Sequence, residues 1–347
     1  MDRDRIQYYS IIVPSFNRMD EIKELVHSFQ RLSFDRDKFE VIIIDDGSSD
    51  QTIDFLKNYL TQANFKLAFY SQMNQGPGAA RNLGMQKASG DFFIFIDSDC
   101  TVPDTWLSQI ERALIQNKAD AFGGPDTYRD EFPAMLKAVN YTMTSFLTTG
   151  GLRGKKGKKL ATFYPRSFNM GISRQIAKQV GGFGSLRHGQ DIEFSNRIIK
   201  SGARIVFVAD APVYHKRRTN ITRFYRQVFN WGVGRINLYL IDRSMLEPLH
   251  TVPAMITLAV LSICVLAIFI PSVRIIFWSG CILFGLILVF SMIDSIRKYK
   301  DIKPALLLPM CLPAQIFGYG LGFIYNFIRR VILKKKEMVG FKISYYK

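Results

Sequence analysis

Three long uncharged stretches in the last third of the chain constrain its fold more than any other feature. They cover residues 251–273, 275–293 and 304–328, and most of their side chains are apolar. Each stretch is long enough to cross a hydrocarbon core of about 30 Å. Buried core helices are the alternative, but three such stretches in succession are hard to enclose in a small soluble domain. We therefore predict a transmembrane region over residues 251–328.

The connectors between these stretches predict their orientation. DSIRKYKDIK, after the second stretch, is basic, whereas PSVR, after the first, contains only Arg274. The positive-inside rule places the basic connector and the N-terminal part of the chain in the cytoplasm. The charged N-terminus MDRDRIQYYS has no apolar segment of the secretory type. We therefore expect a protein of the cell (inner or plasma) membrane with a cytoplasmic N-terminal domain.

The third stretch leaves two arrangements open. If it spans the membrane, the basic tail over residues 329–347 lies outside, against the charge rule. Pro304, Pro309 and Pro313 would also disturb a regular helix. The stretch is therefore either re-entrant, with the tail inside, or a third crossing. We predict three crossings, because long uncharged segments usually insert.

Residues 216–250 interleave basic and aromatic side chains, as in the run Arg223, Phe224, Tyr225 and Arg226. This composition suits helices that lie in the membrane interface against anionic headgroups. It would also suit stacking on single-stranded nucleic acid. The position directly before a membrane segment favours interfacial helices. The formal net charge of +17 then indicates anionic lipid or a phosphorylated substrate as the partner, and no nucleic acid.

The first part of the chain, residues 1–215, reads as a soluble α/β domain. Short apolar runs such as QYYSIIVPS, FEVIIID, KLAFYSQ and FFIFID alternate with helical patterns. Such an alternation predicts a mainly parallel sheet. Ligands of these sheets bind at the carboxyl ends of the strands, and several predicted strands end in carboxylates. The four cysteines have no metal-ligand spacing and are predicted to be reduced.

The strand FFIFI runs directly into Asp97 and Asp99. Two alternate carboxylates at a strand tip suit a hard divalent cation, Mg²⁺ or Mn²⁺, whose shell is completed by water and phosphate. A solvated turn is the alternative, since D-S-D is also turn chemistry. The segment DDGSSD ends another strand. It either brings Asp45 and Asp46 to the same edge of the sheet as functional carboxylates, or it serves only as a helix cap and turn. The segment NQGPGAARN could present a helix N-terminus and Arg81 to an anionic ligand at this edge. The alternative is an ordinary Gly-Pro turn.

Taken together, four segments are similar to family 2 glycosyltransferases: SIIVPSFNR, EVIIIDDGSSD, NQGPGAARNLGMQKASGDFFIFIDSDC and GGFGSLRHGQDIEFSNRIIKSGARI. The resemblance covers roughly residues 9–215. It implies a GT-A (Rossmann-like) catalytic domain, a nucleotide-sugar donor, a divalent cation and inversion at the anomeric carbon. It also implies that Asp97 and Asp99 bind the metal, that Asp97 contacts the donor diphosphate and that Asp46 contacts the base. Pro14 and Arg81 match positions that line the nucleotide pocket.

The same resemblance assigns the catalytic base. Asp191 matches the catalytic aspartate of the family's E-D motif, although the preceding residue here is Gln190. As general base it would take the proton from an acceptor hydroxyl. A helix N-cap is the alternative role for Asp191, and Glu193 is the second candidate for the base.

Three further features give weaker indications of function. The segment RSFNMGISR, which contains Asn169, resembles the family's segment near the acceptor site. The alternative is a turn before a helix. His215 follows a strand-like stretch and is either a cation or phosphate ligand or a surface histidine. The run GLRGKKGKK, residues 151–159, is predicted to be a loop that is solvated or touches the donor or lipid phosphate.

Processive polymer synthases have a similar layout and a Q-x-x-R-W motif. This chain has Gln227 and Trp231 but Asn230 in place of the arginine. We therefore predict transfer of one sugar to a membrane-associated, polyprenyl-linked acceptor in surface polysaccharide or glycoconjugate assembly. Transfer to polyprenyl phosphate, processive synthesis and a non-catalytic membrane scaffold remain alternatives. A scaffold with a degenerate fold should have lost Asp97, Asp99 or Asp191, and all three are present.

Overall fold

The computed structural model describes residues 8–128, 131–145, 163–216 and 220–336. They form two compact units. Of the described residues, 8–127 and 164–216 belong to the N-terminal unit, and 128, 131–145, 163 and 220–336 belong to the C-terminal unit. The loop predicted over residues 151–159 and the last residues of the basic tail, 337–347, lie outside the described residues.

Ten strands are formed by the described residues: β1 Tyr9–Ser15, β2 Phe39–Asp45, β3 Lys66–Ser71, β4 Phe92–Phe95, β5 Cys100–Thr101, β6 Ala121–Gly123, β7 Asp126–Thr127, β8 Met170–Ser173, β9 Ile205–Phe207 and β10 Val213–His215. The α-helices are α1 Met19–Gln30, α2 Thr52–Tyr59, α3 Pro77–Lys87, α4 Trp106–Asn117, α5 Ala134–Thr144, α6 Arg174–Val180, α7 Gln190–Lys200, α8 Ile221–Ile241, α9 Val252–Phe269, α10 Pro271–Tyr299, α11 Ile302–Leu306 and α12 Leu308–Phe327.

The main sheet of the N-terminal unit has the strand order β3-β2-β1-β4-β8-β6-β9. Among its described strands, β8 runs antiparallel to both of its neighbours and the other pairs are parallel. The predicted mainly parallel α/β sheet is therefore confirmed. Helices cover both faces, because the strands bury apolar side chains on each side. Helix α1 buries Ile22, Leu25, Val26 and Phe29, the face that its periodicity predicts.

The central strands end at one edge and are joined there. The Asp46 amide donates to Ser15 O at 2.8 Å, and the Gln72 amide donates to Asp45 O at 2.9 Å. A second sheet, β5-β10-β7, follows the tip of β4. In it His215 pairs antiparallel with Cys100. The register of this small sheet thus brings a residue near the end of the unit to the D-S-D turn.

The C-terminal unit contains α5 and the helices from α8 onward. Three of its helical segments are long and apolar enough to cross a membrane: Val252–Phe269, Pro271–Tyr299 and Leu308–Ile332. The third is preceded by the short helix α11, because the chain bends at Leu307 before Pro309 enters the first turn of α12. Pro313 lies inside α12. A π-helical turn, Ile328–Ile332, continues it.

Residues of α5 pack against the end of α10. The Tyr141 hydroxyl donates to Asp294 Oδ2 at 2.8 Å, and the Asn140 amide donates to the Tyr299 hydroxyl at 2.9 Å. These contacts explain why α5 groups with the C-terminal helices, a detail that the predicted boundaries did not contain. The division into 1–215, 216–250, 251–328 and 329–347 stays a prediction.

Candidate active site

Asp46 lies directly after β2 and is buried. Its carboxylate accepts hydrogen bonds from Gln72 Nε2 at 2.7 Å and from the amides of Gln75 at 2.9 Å and Gly76 at 2.8 Å. Burial raises its pKa, and these donors oppose that shift. Asp46 therefore holds the β3–α3 loop against the edge of the sheet. Gly76 has a φ of +90°, a backbone conformation that favours glycine.

Arg81 points from the second turn of α3 to the tip of β4. Its guanidinium donates to Asp97 Oδ1 at 2.5 Å, and it packs over the Phe183 ring at 5.3 Å. Arg81 is only 5% exposed, and its Nε has no hydrogen-bond partner among the described residues. A buried donor without a partner costs free energy, so this atom marks a place for an anionic oxygen.

Asp99 faces the small sheet rather than Arg81. Its Oδ1 lies 3.2 Å from His215 Nε2. The Cys100 thiol joins this pair in a group whose potential ligand atoms all lie within 4.8 Å of one another. Asp126, in β7, has Oδ2 3.6 Å from His215 Nδ1, and so stands behind the imidazole as an electrostatic partner.

Carboxylate and imidazole donors fit a divalent cation. Cys100 is the weaker ligand, because burial and the neighbouring carboxylates raise its pKa well above the usual range and keep the thiol protonated. Burial alone would lower the pKa of His215, but the carboxylates of Asp99 and Asp126 overcome that effect and raise it to about 10. This excess of negative charge is the electrostatic setting that a bound cation would neutralise.

Asp191 lies in the first turn of α7, which begins at Gln190 after Gly189. Its Oδ1 accepts from the Ile192 amide at 3.0 Å, and its Oδ2 lies 3.1 Å from Arg166 Nη1. The N-cap position is occupied by Gly189, so Asp191 is not the N-cap. Its side chain is partly exposed, as a base that meets an acceptor must be.

Glu193 is held differently. Both of its carboxylate oxygens accept from Arg197, at 2.6 Å to Nε and 2.7 Å to Nη2. Arg197 also donates to Val180 O and Gly182 O. Glu193 therefore orients Arg197, which links the chain before α7 to the helix. Of the two candidates for the base, Asp191 is the better placed.

The N-terminal turns of α3 connect these carboxylates. The amide of Gly76 binds Asp46, and Arg81 binds Asp97. Gly78 lies so close to Gln190 that a Cβ there would meet its Oε1 at 2.6 Å, which brings α3 against the start of α7. Asp46, Asp97 and the helix that carries Asp191 thus gather around one helix end, at the carboxyl edge of the sheet.

Residues 10–181 match the family model described as Glycosyl transferase family 2. The chain belongs to glycosyl transferase family 2. It is therefore a glycosyltransferase with a GT-A-like sheet, followed by three helices long enough to span a membrane. This confirms the family, fold and enzyme class that the sequence predicts.

The glycosyltransferase is similar to several known proteins. It is 23% identical over 245 residues to the glycosyltransferase AglE of Haloferax volcanii, covering 70% of this chain and 77% of AglE. It is 37% identical over 112 residues to the poly(ribitol-phosphate) β-N-acetylglucosaminyltransferase TarS of Staphylococcus aureus, covering 32% of this chain but only 20% of TarS. Its fold matches the mannosyltransferase PcManGT of Pyrobaculum calidifontis, solved with GDP-Man and Mn²⁺, with a TM-score of 0.64 at 16% identity, over 94% of this chain and 89% of PcManGT.

Other predicted site residues of the glycosyltransferase have different surroundings. Pro14 is buried within β1. Asn169 has no exposed surface, and its amide bonds Trp106 Nε1, Pro125 O and Ala211 O. These bonds fasten the chain before β8, so the geometry adds no support to the predicted acceptor contact. Gln227 and Trp231 lie half-buried on α8, in the C-terminal unit.

Sequence reasoning missed Asp126 and Arg166. Asp126 lies in a two-residue strand whose pairing with β10 has no local sequence signal. Arg166 lies in the segment singled out for Asn169, yet its ion pair with Asp191 joins positions far apart in the chain. The metal role of Asp97 stays a prediction, since in the structure its carboxylate faces Arg81 and Asp99 faces His215.

Proposed function

We propose that this glycosyltransferase is a membrane-anchored, inverting enzyme that moves one sugar from a nucleotide-sugar donor to a polyprenyl-linked acceptor, in surface polysaccharide or glycoconjugate assembly. The catalytic domain is cytoplasmic, at the inner or plasma membrane. The observation that carries the proposal is the gathering of Asp46, Asp97 and Asp191 around the start of α3, beside the Asp99–His215 pair.

The donor side is built from α3 and the strand tips. Arg81, with its buried Nε, would bind the diphosphate, and Asp97 keeps the guanidinium in position. Asp46 holds the β3–α3 loop and would contact the nucleotide base of the donor. Pro14 would line the same edge of the sheet. The neighbour PcManGT was solved with GDP-Man, which supports a nucleotide-sugar donor of this general class.

Asp99 and His215 would hold the divalent cation, with Asp97 as the additional ligand that the family pattern implies. When bound, the cation stabilises the negative charge that develops on the departing diphosphate. An imidazole in the donor set favours Mn²⁺ over the harder Mg²⁺, and PcManGT was solved with Mn²⁺.

Asp191 takes the proton from the acceptor hydroxyl, which attacks the anomeric carbon on the side opposite the diphosphate. One displacement inverts the configuration, and no covalent sugar–enzyme intermediate forms. Arg166 keeps the carboxylate oriented until the acceptor arrives.

A lipid-linked acceptor is supported by the helices of the C-terminal unit. Helices α9 and α10 expose apolar side chains along most of their length, including Leu261, Val265, Leu283 and Phe290. Such a surface needs a hydrocarbon environment. An enzyme anchored in this way works where polyprenyl-linked acceptors are concentrated.

The test is release of nucleotide diphosphate from UDP-, GDP- and dTDP-sugars by the full chain, with Mn²⁺ or Mg²⁺. Polyprenyl phosphate and polyprenyl-linked oligosaccharide are offered as separate acceptors. We expect turnover with the oligosaccharide, loss on chelation and recovery with Mn²⁺. Turnover with polyprenyl phosphate alone would replace the proposed acceptor, and unchanged turnover after chelation would contradict the metal site.

A further inference from the structure

The helical hairpin of α9 and α10 stands apart from the rest of the C-terminal unit. In α9 the buried residues are Ala254 and Thr257, both near its start. In α10 they are Ser291, Ser295 and Tyr299, all near its end. No residue from 258 to 290 is buried. Among the described residues, this hairpin is therefore buried only at its base, and the remaining length is free to cross a bilayer.

Helix α12 packs against that base. Its first turns, with Leu308 and Leu312, share one apolar cluster with Tyr299, at the end of α10, and with Val139 of α5. Its later turns meet the start of α9: Phe323 clusters with Ala254, and a Cβ on Gly320 would meet Pro253 O at 2.6 Å. Helix α12 thus runs from the last turns of α10 to the first turns of α9.

This placement decides how α12 meets the membrane. The start of α9 and the end of α10 emerge from the same membrane face, because the two helices form a hairpin. A helix that crossed the bilayer beside α9 would bury side chains further along it, between residues 258 and 269, and none is buried. A helix with both ends at the base of the hairpin instead lies across that base.

Helix α8 forms a layer with α12. Their backbones touch, since a Cβ on Gly322 would clash with the backbone of Phe229. The amide of Asn326 donates to Val233 O and to Asn237 Oδ1, each at 2.8 Å. Contacts thus proceed in the same order along both helices, which run parallel.

The outer face of this layer is an apolar stripe. Along α12 and the π-turn, five exposed apolar side chains recur at helical spacing: Met310, Leu321, Tyr325, Ile328 and Ile332; Leu306, in α11, is exposed as well. Basic residues lie at its margins, with Arg223 and Arg226 exposed at the start of α8 and Lys334, Lys335 and Lys336 exposed after the π-turn. An apolar face with cationic margins fits an anionic leaflet.

We propose that α12 lies in the plane of the membrane interface, with α8 behind it and the apolar stripe inserted among anionic lipids. The chain then crosses the bilayer twice, through α9 and α10. Lys336 lies on the same side as the start of α8. This inference rests on the membrane anchoring in the proposed function but not on the transfer reaction, and it replaces the predicted third crossing at 304–328.

Topology mapping with a membrane-impermeant maleimide tests the crossing number. Single-cysteine variants R223C, S272C and K336C are made in the full chain after the native cysteines are replaced, and each is labelled in right-side-out and inside-out vesicles. We expect R223C and K336C to react from one side and S272C from the other. Reaction of K336C from the side of S272C would establish a third crossing and overturn the proposal.

Spin labels test the depth. Labels on the stripe (M310C, L321C and I332C) are compared with a series down α9 (L258C, L261C and I268C), using oxygen and a nickel chelate as relaxation agents in anionic vesicles. We expect one shallow depth along the stripe and a changing depth along α9. A deepest point at L321C, or strong spin–spin broadening between copies, would contradict a lipid-covered stripe. Failure of the chain to enter vesicles at all would instead remove the anchoring on which both proposals depend.

Discussion

At the scale of single residues, Asp191 and Glu193 differ in how their carboxylates are held. Both lie in the first turn of α7, and each has an arginine partner. Glu193 accepts two hydrogen bonds from Arg197, whereas Asp191 accepts one from Arg166 and has a partly exposed side chain. Position in the helix alone could not tell them apart. The side-chain partners do.

Asp191→Asn keeps the shape of the side chain and removes its basicity. We expect turnover to fall by about 10²–10⁴, the usual contribution of a general base. Donor affinity should remain unchanged, because the base acts on the acceptor. Nucleotide diphosphate release and donor binding by calorimetry measure the two quantities. Lys200→Gln, at the other end of α7, is the control, and full turnover of Asp191→Asn would transfer the role to another residue.

Asp126→Asn tests the electrostatic support of His215. A carboxylate behind a metal-binding imidazole orients the ring and increases its basicity, and loss of such a partner lowers metal affinity about 10–100-fold. We expect that loss in Mn²⁺ binding, followed by the resonance signal of the free ion and independent of activity. Asp120→Asn is the matched control, since Asp120 precedes β6 and bonds the Arg204 amide. Equal Mn²⁺ affinity in the two variants would leave Asp126 without this role.

At the scale of elements, glycine decides how closely α8 and α12 approach. A Cβ on Gly232 would meet the backbone of α12, including Phe323 N at 2.6 Å and Gly322 C at 3.1 Å. Backbone atoms cannot rotate away as side chains do. The helix pair therefore depends on these glycines in a way that apolar composition does not reveal.

Gly232→Ala should therefore lower the free energy of unfolding by about 1–3 kcal/mol through overpacking. Gly280→Ala, in the middle of α10, is the control, because a Cβ there meets nothing within 4 Å. That control should be neutral or slightly stabilising, since alanine favours a helix over glycine. Thermal unfolding in detergent measures both variants. If they unfold at the same temperature, α8 and α12 do not pack at this distance.

His188, in the segment before α7, should make the free energy of unfolding depend on pH. Burial lowers the pKa of His188 from 6.5 to about 4, with a further contribution from Arg187. Between these two pH values the unfolded chain binds the proton and the folded chain does not. The free energy of unfolding should therefore fall as the pH drops from 6.5 towards 4.

Melting temperatures across that pH range measure the effect in the wild type and in His188→Asn, which cannot titrate. The variant should show a shallower decline, because the other titrating groups remain. Parallel curves would mean that His188 is protonated as easily in the folded protein as in the unfolded chain.

At the scale of the whole molecule, the exposed apolar side chains of α9 and α10 favour a hydrocarbon environment over water. We expect the full chain to sediment with membranes and to resist extraction at alkaline pH, as an integral protein does. Replacing Leu261 and Leu283 with lysine should release it, since each charge at the centre of a bilayer costs about 2.5–3.5 kcal/mol. Arg223→Gln with Arg226→Gln is the comparison and should leave the chain in the pellet. Recovery of the unmodified chain in the supernatant would oppose the membrane anchor.

The sequence by itself determined the architecture. Alternating apolar runs and helical periodicity are local properties, so they predict the parallel sheet, the buried face of α1 and the apolar helices near the C-terminus. The ordered motifs predicted the family, because each motif depends on residue type at a short spacing. The same motifs indicate Pro14, Asp46, Arg81, Asp97 and Asp191 as candidate site residues.

Only the tertiary structure decided which of these residues meet. The pairing of Asp99 with His215 depends on the register between β5 and β10, and Asp126 reaches the imidazole through a two-residue strand. Such pairings join distant parts of the chain, and no short-range pattern records them. The path of α12 likewise depends on contacts between distant parts of the chain. Its length and composition suit a membrane crossing, but its neighbours are the start of α9 and the end of α10, and these contacts place it across the base of the hairpin.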